Sequence, residues 1–456
     1  MFLKFWLEDA CRNTFLSYLE PSDLASLRLT CHDFSVRAAP ALFSHLTIRF
    51  RTNTFSKPSR LAALERCGFY VKTLKFVLPH SNETFLPPLV DPESGAELNF
   101  TYTPAVQETK GRPKFGDEGT TEILTRQWPP LFHAATNVPA FVRAFGALVN
   151  LEGLEVSCPS SPSPGMKDGR QKGRKSVVDF ALISLRIAVE RNCLNSLERL
   201  TISPIHAQGV MFLSPVLGIG AGPSAMRRWG RIKKLEMGVE CSGVEAETKL
   251  VKAYLRSFQR NLQELRFSWI GEKGPMPVAT PMSAAKTQQM PTTRPLFGEQ
   301  RPHPAHAQHS PPNQHSHQQQ QQKGLHFPFL KHLELANITC PSTALSTFIS
   351  SHRHTLEELD FQNFELTAGT WEEALQPLTS RSKQHQRSTR QQRGEIPIML
   401  YPAPMERVEV PERKGVRISS SSATTATTVA RRVREGLLGC EMQLKRVLRG
   451  SAFPWR

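Results

Sequence analysis

The hexapeptide LERLTI, residues 197–202, carries the pattern that decides the fold. Its two leucines stand three residues apart, and its last three residues alternate between apolar and polar, as in a short strand with one buried face. The form LxxLxL, with other apolar residues in some copies, occurs seven times. The copies begin at residues 71, 151, 197, 232, 262, 330 and 356. The sequence therefore predicts seven short strands.

Helical patterns separate these strands. Apolar residues recur with the period of an α-helix over the ranges 60–69, 138–148, 177–194, 251–262 and 344–356. Strands that alternate with helices favour parallel pairing, so the predicted fold class is α/β. The first gap between copies is long enough to contain one further copy. An ordinary α/β domain with amphipathic elements remains the simpler alternative to a repeat structure.

Positive charge is concentrated in three segments that are too polar to build a core. Segments 159–175, 275–323 and 381–456 carry formal charges of +4, +3 and +10, which account for the whole net charge of +17. All three are rich in Pro, Ser, Gln or Gly, a composition typical of disorder. We therefore expect two disordered insertions within a folded region at 60–380, and then a basic low-complexity tail with one helix at 429–448. Nucleic-acid binding is not expected, because such domains cluster basic residues on a folded face.

Motifs for metal binding, catalysis and membrane insertion are missing from the sequence. No two of the eight cysteines are closer than 20 residues, so the close ligand pairs of a zinc site are not present. There is no G-x-S-x-G, H-E-x-x-H or P-loop motif, no secretory signal and no apolar run of about 18 residues. We expect a non-catalytic protein without metal or cofactor, located in the reducing cytoplasm or nucleus.

The seven copies resemble leucine-rich repeats, whose usual period is about 20–29 residues. The spacing here is irregular, and the asparagine that normally follows the strand is best matched by Asn337 and Asn363. The resemblance implies a curved solenoid in which the polar strand residues form a protein-binding face. The residues expected on this substrate face are Arg199, Lys234, Glu264, Arg266, Glu334, Glu358 and Asp360.

The N-terminal stretch FLSYLEPSDLASLRLTCHDF, residues 15–34, predicts a pair of helices. Apolar residues recur at helical spacing on both sides of a Glu-Pro-Ser-Asp turn, and proline fits the first turn of a helix. The stretch resembles the F-box motif over residues 8–48, with the segment 39–46 as a third helix. The Leu-Pro that commonly opens the motif is replaced by Leu7-Glu8.

An F-box implies docking to the Skp adaptor of an SCF-type ubiquitin ligase and, through the adaptor, to a cullin scaffold. The residues that match adaptor-binding positions are Leu16, Leu19, Pro21, Leu24, Leu27, Cys31 and Phe34. The order of an F-box, irregular repeats and insertions resembles that of fungal F-box proteins. The chain would then be a non-catalytic substrate receptor that holds an unknown protein on its repeats. The alternative is a repeat scaffold whose N-terminal helices only cap the solenoid, and a third hypothesis takes the basic tail as a nuclear or nucleic-acid anchor.

Overall fold

The described part of the chain is a mixed α/β structure organised around a parallel sheet. The computed structural model describes residues 2–107, 114–159, 175–220, 225–241, 245–279 and 325–378. The strands are β1 (His45–Arg49), β2 (Thr73–Val77), β3 (Gly153–Cys158), β4 (Arg199–His206), β5 (Lys234–Cys241), β6 (Glu264–Gly271), β7 (Gly274–Pro275), β8 (His332–Ala336), β9 (Ile338–Pro341), β10 (Glu358–Gln362) and β11 (Glu365–Ala368).

Eight of these strands form one sheet in the order β1-β2-β3-β4-β5-β6-β8-β10, and all seven pairings are parallel. The seven strands predicted from the LxxLxL copies are confirmed, and so is their parallel pairing. β1 is an eighth strand that the sequence analysis did not identify. A smaller parallel sheet, in the order β11-β9-β7, was also not foreseen.

The strands are paired in register, so equivalent apolar residues stack into rows. The row of buried leucines consists of Leu74, Leu154, Leu200, Leu235, Leu265, Leu333 and Leu359. Because strand side chains alternate between faces, the residues on either side of this row point to the opposite, exposed face. The register therefore gives the sheet one continuous apolar face and one continuous polar face.

A repeated hydrogen-bond pattern connects the beginning of each strand to the next. The carbonyl of the residue just before a strand accepts two successive N–H groups from the start of the neighbouring strand. The acceptors are Ser44, Lys72, Glu152, Glu198, Lys233, Gln263 and Lys331. Ser44 makes these two bonds at 2.9 Å each, to Lys72 and Thr73, so β1 is joined to the sheet as the later strands are.

Asparagines extend the strand pairing at the far end of the sheet. Asn337 and Asn363 follow β8 and β10, and both adopt left-handed backbone conformations, with φ of 57° and 49°. Nδ2 of Asn363 donates to Oδ1 of Asn337 at 2.7 Å, and Nδ2 of Asn337 donates to the Trp269 carbonyl at 2.7 Å. The two positions singled out in the sequence thus connect three neighbouring strands.

Helices cover the apolar face of the sheet. Those that follow β1 are α5 (Pro58–Cys67), α6 (Glu118–Gln127), α7 (Pro130–Ala135), α8 (Val138–Gly146), α9 (Val177–Arg191), α10 (Ala207–Leu213), α11 (Ala225–Trp229), α12 (Glu245–Leu255), α13 (Ser342–His352) and a helix at 371–378. Each of the five helical ranges expected from the sequence overlaps one of these helices, but α5, α12 and α13 begin two to six residues before the expected range. α9 is the most deeply buried, because an apolar or small residue occupies nearly every position from Val177 to Val189.

Four helices precede the sheet: α1 (Phe2–Leu7), α2 (Asp9–Ser17), α3 (Pro21–Arg28) and α4 (His32–Phe43). We refer to residues 2–43 as the helical module. The expected third helix at 39–46 is wrong in its bounds, because α4 begins at His32 and continues through Pro40. Residues 45–48 belong to β1, so the helical module ends before the limit of 48 expected for an F-box.

The expected insertions lie mostly outside the described residues. The range 275–323 was placed too early, because Pro275 pairs in β7 and Met276 and Val278 are buried. The first long gap contains no additional strand among its described residues, since β2 pairs directly with β3. The tail at 381–456, with its expected helix at 429–448, is also outside the described part.

Candidate functional site

The exposed face of the sheet brings together the seven residues predicted to form a substrate face. Arg199, Lys234, Glu264 and Glu358 occupy the first positions of their strands, in one row across the sheet. Arg266, Glu334 and Asp360 form the next exposed row on the same face. Residues that are far apart in the chain thus form one surface, as the alternation of strand side chains requires.

Ion pairs connect neighbouring strands across this face. Nζ of Lys234 lies 2.8 Å from Oε2 of Glu264, and Nε of Arg266 lies 3.0 Å from Oε1 of the same carboxylate. Burial alone would raise the pKa of Glu264, but the hydrogen bond from Lys234 and the nearby Arg266 charge outweigh burial and lower it. At the centre of the face, the positive charges of Lys234 and Arg266 therefore offset the negative charge of Glu264.

Negative charge accumulates towards β10. Burial raises the pKa of Glu334, the nearby Arg266 at 3.4 Å lowers it, and the charges of Asp360, Glu236 and Glu264 raise it further. Oδ1 of Asp360 is buried and has no hydrogen-bond partner within the described part of the chain. Burial and the neighbouring carboxylates outweigh the charge of Arg266, so the negative charge of Glu334 is only partly offset. A cationic group placed here would relieve it.

The predicted adaptor-binding residues divide into three groups by exposure. Leu16 and Leu24 are buried in a small core with Trp6 and Ala38. Leu19, Leu27 and Phe34 are half-buried around that core, whereas Pro21 and Cys31 are exposed. Leu16 and Leu24 therefore hold the helices together, which is one of the two roles expected for these motif positions.

Trp6 organises the helical module, and it lies before the range expected for the F-box. Its ring packs against Phe34 with centroids 4.5 Å apart, and its Nε1 donates to Oδ2 of Asp33 at 2.8 Å. Asp33 also accepts from Nε of Arg37 at 2.8 Å. Hydrogen bonds from Arg37 and Trp6 lower the pKa of Asp33. The first helix thus completes the core of the other three.

Large apolar side chains remain exposed on the helical module. Leu29 at the end of α3 is 89% exposed, and Tyr18 at the end of α2 is 69% exposed. Leu7, Val36 and Phe5 are exposed to a lesser degree. Apolar surface concentrated on a small module is typical of a surface that binds a partner.

An open cavity of about 850 Å³ lies where the helical module meets the sheet. Val36 and Phe43 line it from α4, while Ile48 and Leu64 line it from β1 and α5. The contact between module and sheet is therefore incomplete, although the chain passes directly from α4 into β1.

A cluster of titratable side chains lies at the C-terminal ends of β2, β3 and β4. One ligand atom from each of His80, Asp179 and His206 lies within 4.8 Å of the other two. Nε2 of His206 is 3.1 Å from Oδ1 of Asp179, and the two imidazole rings meet edge to face at 4.4 Å. Burial, with a contribution from His206, lowers the pKa of His80 to about 4, so this ring is neutral at pH 7. The buried thiol of Cys158 is close by, and its pKa is raised by burial to about 12.

This cluster could not have been found from sequence spacing. Its members are separated by 99 and 27 residues. They come together only because β2, β3 and β4 are neighbours in the sheet and α9 begins at the same edge. Among the described helices, none has the length and hydropathy needed to cross a membrane.

No protein-family model and no curated protein matches this chain.

Proposed function

We propose that the protein is a non-catalytic receptor that docks a Skp-type adaptor through the helical module and a protein substrate through the exposed face of the sheet. In this function it is the substrate-recognition subunit of an SCF-type ubiquitin ligase. The observation that carries the proposal is the helical module, which has its own small core and leaves Leu29 and Tyr18 exposed. A module that needs apolar anchors and no chemistry fits a docking role.

Three features of the module support adaptor docking. Pro21 is the first residue of α3 and fixes the turn from α2, as in the F-box pattern. Pro21 and Cys31 are exposed and can make contacts, with Leu29 between them in the chain. The core of the module is small, and a unit of about 40 residues rarely buries enough surface to be stable alone.

The regularity of the sheet supports the leucine-rich-repeat interpretation. Equivalent leucines stack in register, and the carbonyl before each strand makes the same pair of hydrogen bonds to the next. Asn337 and Asn363 form the side-chain ladder that an asparagine after the strand provides. In a repeat structure of this type, the exposed strand face binds the partner. The partly offset negative charge of Glu334, and Oδ1 of Asp360 without a partner among the described residues, favour a substrate segment that presents lysine or arginine.

A surface substitution tests adaptor docking without disturbing the core. Leu29→Asp in the full-length protein removes one exposed apolar anchor, whose burial at an interface contributes about 1.5–3 kcal/mol. Since each 1.4 kcal/mol changes affinity about tenfold, binding to a purified Skp-type adaptor should fall at least tenfold. Val149→Asp is the matched control, because Val149 is also half-exposed but lies on the sheet side, between α8 and β3.

The alternative is that the helical module only caps the sheet. The hydrogen bonds that Lys72 and Thr73 donate to the Ser44 carbonyl favour this alternative, because they join the chain just after the module to the start of β2. The cavity beside α4 weighs against it, because a cap would be expected to pack closely. Adaptor binding that is equal in the Leu29→Asp variant and the wild type would refute docking through Leu29. No measurable adaptor binding by either protein would favour the cap.

A further inference from the structure

His80, Asp179 and His206 meet at the edge of the sheet where parallel α/β structures bind ligands. His80 follows β2, His206 is the last residue of β4, and Asp179 lies in the first turn of α9. In α/β sheets, ligands bind on the side of the carboxyl ends of the strands. The strand order of this sheet has no reversal, so the site is marked here by the convergence of the three side chains and not by a switch point. We propose that these three side chains bind one divalent transition-metal ion of the Zn²⁺ class.

The distances within the cluster are compatible with ligation of one ion. Ligand atoms at 2.0–2.1 Å from a tetrahedral metal are roughly 3.3 Å from one another. Nε2 of His206 and Oδ1 of Asp179 are 3.1 Å apart, and no pair in the cluster exceeds 4.8 Å. The largest adjustment is therefore about 1.5 Å, which side-chain rotation can supply without moving a strand.

Neighbouring groups orient the ligands as in metal sites. Nδ1 of His80 faces the carbonyl of Pro159 at 3.3 Å, which leaves Nε2 of this ring for a metal. The backbone N–H of Ser176 donates to Oδ2 of Asp179 at 3.3 Å, which leaves Oδ1 directed at His206. Metal-binding histidines usually donate their second N–H to a carbonyl or carboxylate, and ligating carboxylates are themselves hydrogen-bonded.

The chemistry and accessibility of the three groups select the class of ion. Two imidazole nitrogens and one carboxylate oxygen suit Zn²⁺ and its neighbours, whereas Ca²⁺ and Mg²⁺ prefer oxygen ligands. Asp179 and His206 retain about a sixth of their side-chain exposure, so an ion can reach the site from solvent. Three protein ligands leave one coordination position open for water.

A simple hydrogen bond explains less of the cluster. A bond from Nε2 of His206 to Asp179 joins only these two side chains. It would also give no role to His80, whose neutral ring packs edge to face against His206. One ion shared by the three side chains gives His80 a role.

Zinc titration of the full-length protein tests the site. The histidines at 303, 306, 309, 315 and 317 lie in the polar segment 275–323, so they are first changed to glutamine to remove competing ligands. In this background we expect one equivalent of Zn²⁺ in competition with a chromophoric chelator. Asp179→Asn and His206→Gln should each weaken binding at least tenfold. His332→Gln should leave binding unchanged, because His332 is paired with Glu358 at 3.0 Å on the exposed face and no third ligand group joins them among the described residues.

Two results would overturn the site. The first is a failure of the background protein to bind Zn²⁺, or a loss of Zn²⁺ affinity in the His332→Gln variant as large as in the cluster variants. The second needs no variant of the cluster: Co²⁺ added to the background protein should give the intense visible absorption of a four-coordinate site. A weak spectrum like that of hydrated Co²⁺ would exclude the proposed ligation even if a cluster variant failed to fold. Adaptor binding is independent of both outcomes, because the cluster is outside the helical module.

Discussion

The helical module and the sheet bury their apolar side chains on very different scales. Among the described side chains of the module, the buried cluster consists of Trp6, Leu16, Leu24 and Ala38. In the sheet, one continuous cluster extends from Phe50 to Ala374, and Leu46 and Ile48 of β1 pack against it. The sheet is therefore stabilised by its own core, whereas the module has few buried residues and several exposed apolar ones. A region with this balance is expected to gain stability when a partner covers it.

The largest effect on stability is expected for Phe141→Ala in α8, which tests the core of the sheet. Phe141 is fully buried and packs against Phe50, Phe55 and Phe76 at centroid distances of 4.8–6.2 Å. The lost contacts and the cavity should lower the free energy of unfolding by about 3–5 kcal/mol. Urea denaturation followed by circular dichroism measures the effect. The exposed Val149→Ala is the control, and its effect should stay within about 0.5 kcal/mol.

Leu16→Ala should destabilise the helical module and leave the sheet intact. Removing a buried leucine costs about 2–5 kcal/mol, which is enough to unfold a module with so small a core. Hydrogen exchange should accelerate in residues 2–43 and remain slow in β3 to β6. Adaptor binding should be lost together with the module. Equal acceleration in the sheet would show that the module is a cap, because the sheet would then depend on it.

A third test concerns a pH-sensitive contact at the far end of the sheet. Nε2 of His352 accepts the N–H of Phe327 at 2.9 Å, and Nδ1 faces the Phe348 carbonyl at 2.8 Å. Burial lowers the pKa of His352 below 6.5. As the pH falls through about 6.5, the unfolded chain takes up this proton before the folded one does, so stability decreases until the folded pKa is reached.

His352→Gln isolates this effect. The variant should have a shallower decrease in stability between pH 7 and pH 5 than the wild type, measured as the midpoint of thermal unfolding. His332→Gln on the exposed face is the comparison substitution, since His332 is not enclosed by the core. An identical pH dependence in wild type and His352→Gln would show that this contact does not limit the stability of the sheet.

The smallest effect is expected on the exposed face of the sheet. Arg266→Ala removes ion pairs to Glu264 and Glu334, at 3.0 Å and 3.4 Å. Because Arg266 is half-exposed, solvent screens these pairs, and the free energy of unfolding should change by at most about 1 kcal/mol. Any difference should diminish in 1 M salt. A larger loss would mean that this face contributes to folding and is not free to serve as a binding surface.

The strands were predictable because their signal is repeated and local. β1 was missed although Phe43, Leu46 and Ile48 have the same spacing as the other copies, because the expected helix at 39–46 overlaps its first two residues. The seven residues predicted for the substrate face lie together on one face of the sheet, since alternation within a strand fixes which face a side chain occupies.

The parts that could not be predicted depend on tertiary packing. Helical periodicity places Leu16 and Leu24 on an apolar face, but it does not say whether that face meets Trp6 or solvent. The cluster of His80, Asp179 and His206 has no local pattern at all. Its residues become neighbours only because β2, β3 and β4 are adjacent and α9 returns to the same edge.

The order of strands in the large sheet has a consequence for synthesis of the protein. From β1 to β10, each strand of this sheet pairs with the strand of the same sheet that was made just before it. A ribosome releases a chain from its N-terminus, so each new strand emerges when its partner is already available. Pairing requires no strand that is still to be made, so the sheet can be built in the order of synthesis. A long segment between two strands therefore delays the next pairing but does not change which strand is the partner.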